Sequence, residues 1–335
     1  MIELQFLIFT VIALALLFDF INGFHDSANA IATSISTRAI SPTNAIIMAA
    51  ILDFTGAMVS TGVAKTIGEG VVSSAELIDE KIIVAALIGA VVWNIATWYF
   101  AIPSSSSHAL VGGLIGAVLV GTFGEIGFGG LNSAGILQIV IALIASPCIA
   151  IASGFVVMRL LLLIFGKMNP HVVNQRFRKM QIVSAAMMAF SHGSNDAQKS
   201  MGIITLALVA GGFLQEFEVP MFVKILCAAS MALGVACGGM RMVKTVGGKI
   251  FKLEPISGFS ADLNSSLTIL TATLFHLPVS TTHVVSGSIL GVGTAKRVNA
   301  VHWGVAQQMV TAWILTIPIT AILSGTIYFF VEKCF

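Results

Sequence analysis

The chain of 335 residues is 57% hydrophobic and only 10% charged, with a formal net charge of +2 and a mean hydropathy of +0.98. Soluble domains carry about 25% charged residues, so this composition excludes an ordinary soluble domain. The small net charge gives no indication of a nucleic-acid partner. Long apolar runs predict helices that cross a bilayer; they are Leu4–Phe20, Ala45–Ala64, Ile82–Ala101, Ala109–Gly121, Ile136–Phe165, Met221–Met240, Leu263–Leu277 and Val301–Val331.

These runs predict an all-α polytopic membrane protein. A backbone in lipid must satisfy its own hydrogen bonds, and runs of this length do so as helices, not as strands of a barrel. No cleavage site of small residues follows the first run, so we interpret it as a retained span. We expect roughly ten to twelve transmembrane segments, some of them broken or re-entrant, with both termini outside.

The first polar segment follows the first apolar run and contains His25, Asp26 and Asn29. An ionised group near the bilayer centre costs roughly 2.5–3.5 kcal/mol on insertion scales, so such residues are functional candidates. Together with Asn22 and Gly23, this segment predicts an interruption of the helix between residues 20 and 27.

Further along the chain, Asp53 has an apolar counterpart in the second half, Ala232, and is interpreted as a partner between two helices.

The second polar feature of the first half is Pro103 followed by four serines and His108. Proline pre-sets the first turn of a helix and serine caps it, so this segment predicts a new helix start. Helix N-termini present free N–H groups and a positive dipole end, which together form an anion site. Simple capping by these hydroxyls is the alternative.

Both polar features recur in the same order in the second half. Asp26 is matched by Asp196, 170 positions later, and PSSSSH at residues 103–108 is matched by PVSTTH at residues 278–283. KTIG at residues 65–68 is matched by KTVG at residues 244–247. We therefore predict a first transmembrane repeat at residues 1–165, a basic cytoplasmic linker at 166–180 and a second repeat at 181–335.

The charges of corresponding loops predict that the second repeat is inverted. Basic residues concentrate in short cytoplasmic loops. The loop Lys65–Lys81 carries four acidic residues, whereas its counterpart Arg241–Glu254 carries four basic residues. Inverted repeats are typical of transporters that bind substrate and ions near the midplane, where helices are interrupted.

The residues of this centre predict cation-coupled transport of a small anion. Carboxylate and amide oxygens bind hard cations, and we assign this role to Asp26, Asn29, Asn195 and Asp196. Hydroxyls and helix starts bind the anion, and we assign this role to Ser105, Ser106, Ser107, Ser280, Thr281 and Thr282, with Lys199. For Lys199, direct contact with the anion, replacement of a cation and snorkelling to a cavity remain open.

Phosphate is favoured over sulfate as the anion, because a partly protonated phosphate can donate its own O–H to a carboxylate. His108 and His283 are interpreted as packing residues. No cofactor is predicted.

The segments HDSANA and SHGSNDAQKS, with the paired PSSSSH and PVSTTH, resemble the inorganic phosphate transporter family, above all its bacterial members. The resemblance covers both halves. It implies import of inorganic phosphate by alternating access, coupled to sodium or protons, in a homodimer within the plasma (inner) membrane. The alternatives are proton-coupled symport of phosphate or metal phosphate, and a passive anion channel.

The chain departs from the fuller family pattern at two positions. The family has asparagine immediately before the aspartate and again three residues after it, in both repeats. Here His25 replaces the first asparagine in one repeat, and Lys199 replaces the second asparagine in the other. A titratable His25 keeps proton coupling open as an alternative to sodium.

An intramembrane serine hydrolase is an alternative interpretation of the serine and histidine residues. Such an enzyme needs a serine and a histidine within hydrogen-bond reach. Ser107 and His108 are adjacent in sequence, which gives poor geometry on a helix, and the sequence has no G-x-S-x-G elbow. We therefore predict that the protein is not an enzyme.

Overall fold

The computed structural model describes residues 2–74, 78–238 and 240–334, and these residues form twelve α-helices. The helices of the first half are α1 Ile2–Ser36, α2 Pro42–Ala57, α3 Gly62–Gly70, α4 Glu80–Tyr99, α5 Ser106–Ile126 and α6 Ser133–Phe165. Those of the second half are α7 Pro170–Ala210, α8 Met221–Cys237, α9 Met240–Gly248, α10 Pro255–Leu274, α11 Thr281–Lys296 and α12 Trp303–Cys334. No β-sheet occurs in the described ranges, as predicted for an all-α protein.

Several helix starts are fixed by local side-chain caps. Ser41 accepts from the backbone N–H of Asn44, and Pro42 follows it in the first turn of α2. Asp79 and Asn132 cap α4 and α6 in the same way, by accepting backbone N–H groups at 3.1 and 3.0 Å. These caps satisfy donors that have no partner inside the helix.

Within the part of the chain that the structure describes, five helices are long and apolar enough to cross a membrane. Helices α2 and α3, bent by 70° at the short break between them, would make a sixth span. The protein is thus a multi-pass membrane protein with a broken helix, as expected. The polar α7 and α10 lie outside this set, because their buried polar side chains lower their hydropathy. The predicted number of ten to twelve segments stays a prediction.

The predicted interruption of the first helix is wrong. Helix α1 is continuous from Ile2 to Ser36 through the whole polar segment. Its polar side chains are satisfied by other helices: Asn22 donates to Asp196 at 3.5 Å and accepts from Ser106 at 2.6 Å. Because these partners replace water, the helix does not need to unwind to hydrate its polar groups.

Glycines mark corresponding helix crossings in the two halves. A Cβ at Gly23 of α1 would lie 2.2 Å from a backbone oxygen of α8, and one at Gly234 of α8 would lie 2.1 Å from a backbone oxygen of α1. Gly193 of α7 and Gly56 of α2 make the same reciprocal contact, each at 2.1 Å. Small residues let membrane helices approach closely. The matching crossings support the predicted duplication.

Two apolar clusters flank the polar segments of α1 and α7. The first cluster, with α4 and α5, includes Val11 before the polar segment of α1 and Ile203 after that of α7. The second cluster, with α10 and α11, includes Ile31 after the polar segment of α1 and Met188 before that of α7. Helices α1 and α7 therefore run in opposite senses between the clusters, which supports the predicted inversion of the repeats.

The predicted linker at residues 166–180 is mostly helical. Residues 166–169 lie between α6 and α7, and α7 begins at Pro170, with Asn169 accepting from the N–H of His171 at 3.0 Å. Both termini are predicted to lie outside the cell, and with them the ends of α1 and α12. Met1 and Phe335 themselves lie outside the described residues. The placement stays a prediction.

Candidate functional site

The two hydroxyl-rich segments start helices, as the sequence predicts. Helix α5 begins after Ser105, whose Oγ accepts from the N–H of His108 at 3.1 Å. Helix α11 begins after Ser280, whose Oγ accepts from the N–H of His283 at 3.3 Å. Ser105 and Ser280, both assigned to the anion, are thus used as helix caps in this structure.

Asp26 of α1 is contacted by both of these helix starts. Its Oδ2 accepts from the hydroxyl of Ser106 at 3.1 Å, and its Oδ1 accepts from the hydroxyl of Thr282 at 3.1 Å. The Nδ1 of His25 lies 2.6 Å from Oδ1. Asp26 is only 2% exposed, so these side chains take the place of water around its carboxylate.

Asp196 of α7 has a similar but not identical environment. Its Oδ2 accepts from the hydroxyl of Thr281 at 3.1 Å, just as Asp26 accepts from Ser106. Its Oδ1 is 2.6 Å from the Nζ of Lys199, one turn further along α7. Both Asp196 and Lys199 are completely buried.

The two aspartates face each other between the helix starts. Asp26, Asp196 and His192 each offer one potential ligand atom, and these atoms all lie within 4.8 Å of one another. We call Asp26 and Asp196, with the hydroxyls of Ser106, Thr281 and Thr282, the carboxylate centre. Its oxygens are the ligands that hard cations prefer, and a cation there would offset the repulsion between the two carboxylates.

Three other predicted site residues lie around this centre. Asn29 donates to the hydroxyl of Thr282 at 3.0 Å and so belongs to it. Ser107 donates to the carbonyl of Val279 at 3.1 Å, which joins the two helix starts. Asn195 instead donates to the hydroxyl of Thr273 at 2.9 Å, and therefore holds the connection between α10 and α11.

Sequence reasoning missed the parts played by Asn22 and His192. Asn22 bridges Ser106 and Asp196, while His192 Nε2 lies 3.7 Å from Asp196 Oδ2. The signal was their spacing, because each precedes an aspartate by four residues, which places both on one helix face. His192 Nδ1 also lies 2.7 Å from Asp53 Oδ1, so Asp53 is the predicted helix partner, between α2 and α7.

The two histidines that follow the helix starts pack together, as expected. The rings of His108 and His283 have centroids 4.4 Å apart, and His283 stacks on Trp313 of α12 at 4.0 Å. The packing therefore links both helix starts to a long scaffold helix.

Comparison with known proteins agrees with this architecture. The profile described as "Phosphate transporter family" matches residues 22–324. The chain belongs to this family. It is 49% identical over 327 residues to a probable low-affinity inorganic phosphate transporter of Bacillus subtilis (strain 168), covering 97% of each chain. A protein with the same description from Rhizobium meliloti (strain 1021) is 46% identical over 325 residues, covering 95% of each chain.

A solved structure described as "The sodium-dependent phosphate transporter" has the same fold. It superposes with a TM-score of 0.90 at 27% identity, covering 98% of this chain and 100% of its own. The resemblance stated from the motifs is therefore confirmed for this phosphate transporter family member. Its relatives are transporters, which agrees with the prediction that it is not an enzyme.

Proposed function

We propose that this protein is a secondary active transporter that imports inorganic phosphate together with a cation, with sodium favoured, by alternating access around the carboxylate centre. One observation supports the proposal above all. Carboxylate oxygens of the buried Asp26 and Asp196 lie within 4.8 Å of each other, between two hydroxyl-bearing helix starts. Unneutralised carboxylates would repel phosphate. A cation bound at the carboxylate centre removes that repulsion and so couples the two solutes.

Phosphate then binds between the starts of α5 and α11. The hydroxyls of Ser106, Thr281 and Thr282 each have one proton, and they turn from the carboxylates to the phosphate oxygens once a cation binds the carboxylates. Both helix N-termini supply N–H groups and a positive dipole end. Asn29 supports the site through Thr282, while Ser107 and Asn195 hold the segment before α11 in place. Ser105 and Ser280 act through the caps that fix these helix starts.

Inverted repeats supply the two access states. Residues 1–165 and 181–335 would exchange conformations around the centre, because related halves of opposite orientation can each adopt the other's arrangement. We place the protein in the plasma (inner) membrane as a homodimer with both termini outside. The membrane-spanning helices expose large apolar side chains, as a lipid-facing surface requires, among them Phe9, Leu163 and Ile322.

The contact of His25 with Asp26, at 2.6 Å, favours a second candidate function. Proton-coupled symport of phosphate or metal phosphate would use this pair in place of a sodium ion, because a ring nitrogen at hydrogen-bond distance from a carboxylate can share a proton with it.

Uptake into proteoliposomes tests the proposed function. Purified protein should accumulate radioactive phosphate above its external concentration when sodium is imposed outside only, at equal pH on both sides. Potassium in place of sodium should remove the accumulation, and so should a sodium ionophore. Equal uptake with and without a sodium gradient would reject sodium coupling, and a pH gradient then tests the proton alternative. Phosphate flux that depends on neither the sodium gradient nor the pH gradient would identify a channel.

Removing one hydroxyl should weaken phosphate binding. We expect Ser106→Ala and Thr281→Val to raise the phosphate concentration for half-maximal uptake about 10- to 100-fold, because a hydrogen bond to a charged group is worth about 1.5–3 kcal/mol. The measurement is uptake against phosphate concentration at saturating sodium. Ser153→Ala is the matched control, since the half-buried Ser153 donates to the carbonyl of Ile149 within its own helix, α6. A change in the sodium requirement alone would assign these hydroxyls to the cation.

A further inference from the structure

The two repeats differ in charge at one position of the carboxylate centre. Three residues after Asp26 stands Asn29, and three residues after Asp196 stands Lys199. The neutral amide of Asn29 turns to the hydroxyl of Thr282. The ammonium of Lys199 lies 2.6 Å from Asp196 Oδ1, although the same turn of helix separates each pair.

The Lys199 ammonium lies where a cation bound to Asp196 would lie. The side chain is completely buried, and 2.6 Å is a direct contact between its nitrogen and the carboxylate oxygen. The other oxygen of Asp196 accepts from Thr281 and faces Asn22 and His192 Nε2. A mobile cation on Oδ1 would meet a like charge at contact distance, so the two exclude each other.

We propose that Lys199 is a tethered cation, which replaces at Asp196 one of the mobile cations that the centre would otherwise take. The inference rests on the proposed function, because it concerns how many cations accompany phosphate. The first repeat, with Asn29, keeps a mobile cation at Asp26. Each phosphate then moves with one positive charge fewer, which lowers the accumulation that 100 mV can drive by about fifty-fold.

Direct contact of Lys199 with phosphate is the competing role. The two roles differ in how a neutral side chain behaves when sodium is abundant. A tethered cation is replaced by sodium, so Lys199→Asn should bind phosphate with an affinity within about threefold of wild type at saturating sodium. A phosphate ligand has no such substitute, and its loss would weaken phosphate binding at every sodium concentration.

Equilibrium binding of radioactive sodium to the purified full chain, with phosphate saturating, tests the proposal without measuring transport. We expect Lys199→Asn to bind one more sodium ion per chain than wild type. The reverse change, Asn29→Lys, should bind one fewer. Lys199→Arg, which keeps the charge, and Lys252→Asn, which removes an exposed charge elsewhere, should both match wild type.

An unchanged number of sodium ions in Lys199→Asn would overturn the proposal, as would a loss of phosphate binding at saturating sodium. If Lys199→Asn does not fold, Asn29→Lys still decides, because an unchanged sodium count there contradicts the exclusion of a mobile cation by an ammonium. Failure of the proposed function looks different. Phosphate uptake by the wild-type protein would then be independent of sodium, while Lys199→Asn would still bind one more sodium ion than wild type in the binding measurement.

Discussion

Replacing Asp26 or Asp196 with asparagine should abolish concentrative phosphate uptake. Asparagine keeps the size and the hydrogen-bonding oxygen of the side chain but removes one of the two negative charges of the carboxylate centre. Each positive charge that enters with phosphate contributes about 2.3 kcal/mol per 100 mV. Asp26→Asn loses the cation itself. Asp196→Asn leaves the ammonium of Lys199 unpaired, and that charge then repels a cation at Asp26. We therefore expect internal phosphate to rise no higher than external phosphate in either variant.

The two variants should differ in stability. Asp196→Asn leaves the buried ammonium of Lys199 without its carboxylate, and loss of one partner from a buried ion pair costs about 3–5 kcal/mol. Asp26→Asn should cost less, because the amide oxygen can still accept from one of the hydroxyls of Ser106 and Thr282, and no ammonium is left unpaired. The double variant Asp196→Asn with Lys199→Asn should regain stability, and it should also regain concentrative uptake, because Asp26 keeps its mobile cation.

The measurements are uptake in proteoliposomes under an inward sodium gradient and the thermal unfolding midpoint in detergent. The double variant separates misfolding from loss of coupling, because it removes the unpaired ammonium together with the carboxylate. A stable double variant without concentrative uptake would show that Asp196 itself binds a coupling cation. Normal accumulation by both single variants would refute the assignment of the aspartates.

The sequence alone predicts the parts of the site that depend on local chemistry. The proline and serine segments predict the starts of α5 and α11, and the structure places both starts as expected. The cost of a buried carboxylate singles out Asp26 and Asp196, which lie together in the fold. These inferences hold because capping and the insertion of charge depend on neighbours along the chain.

The sequence does not predict which groups satisfy a polar helix. Asn22 and Asp26 look like breaks when only their own segment is considered, but α1 stays helical because side chains from α5, α7 and α11 bond to them. Asn195 shows the reverse error. It neighbours a central aspartate in sequence, yet the helical step of about 100° per residue turns it towards Thr273 on α10.

Helical spacing in the sequence also marks other residues of the centre. Asp19, Asn22, Asp26, Asn29 and Thr33 follow one another at intervals of three and four residues, which is a single face of a helix. At the same repeat offset, Asn22 aligns with His192 and Asn29 with Lys199. At these two positions the same helix face therefore carries neutral amides in α1 and basic side chains in α7.

Replacing Asp53 with alanine should displace His192 and weaken cation binding. The Asp53 carboxylate is completely buried in α2, and its Oδ1 lies 2.7 Å from Nδ1 of His192 in α7. This contact fixes the ring so that Nε2 faces Asp196 at 3.7 Å. Groups that orient the ligands of a metal site without touching the ion typically contribute 10- to 100-fold to its affinity, and we expect a loss of about this size for sodium.

Asp53→Asn is the matched control, because its amide oxygen can still accept from His192 Nδ1. Sodium binding and the thermal unfolding midpoint should fall much further in Asp53→Ala than in Asp53→Asn, since the alanine variant leaves a buried donor unpaired at a cost of about 1–3 kcal/mol. If the two variants lose sodium affinity equally, the negative charge of Asp53 acts on the cation directly. If neither loses it, the carboxylate centre binds its cation without help from α2, and Asp53 serves only to hold α2 against α7.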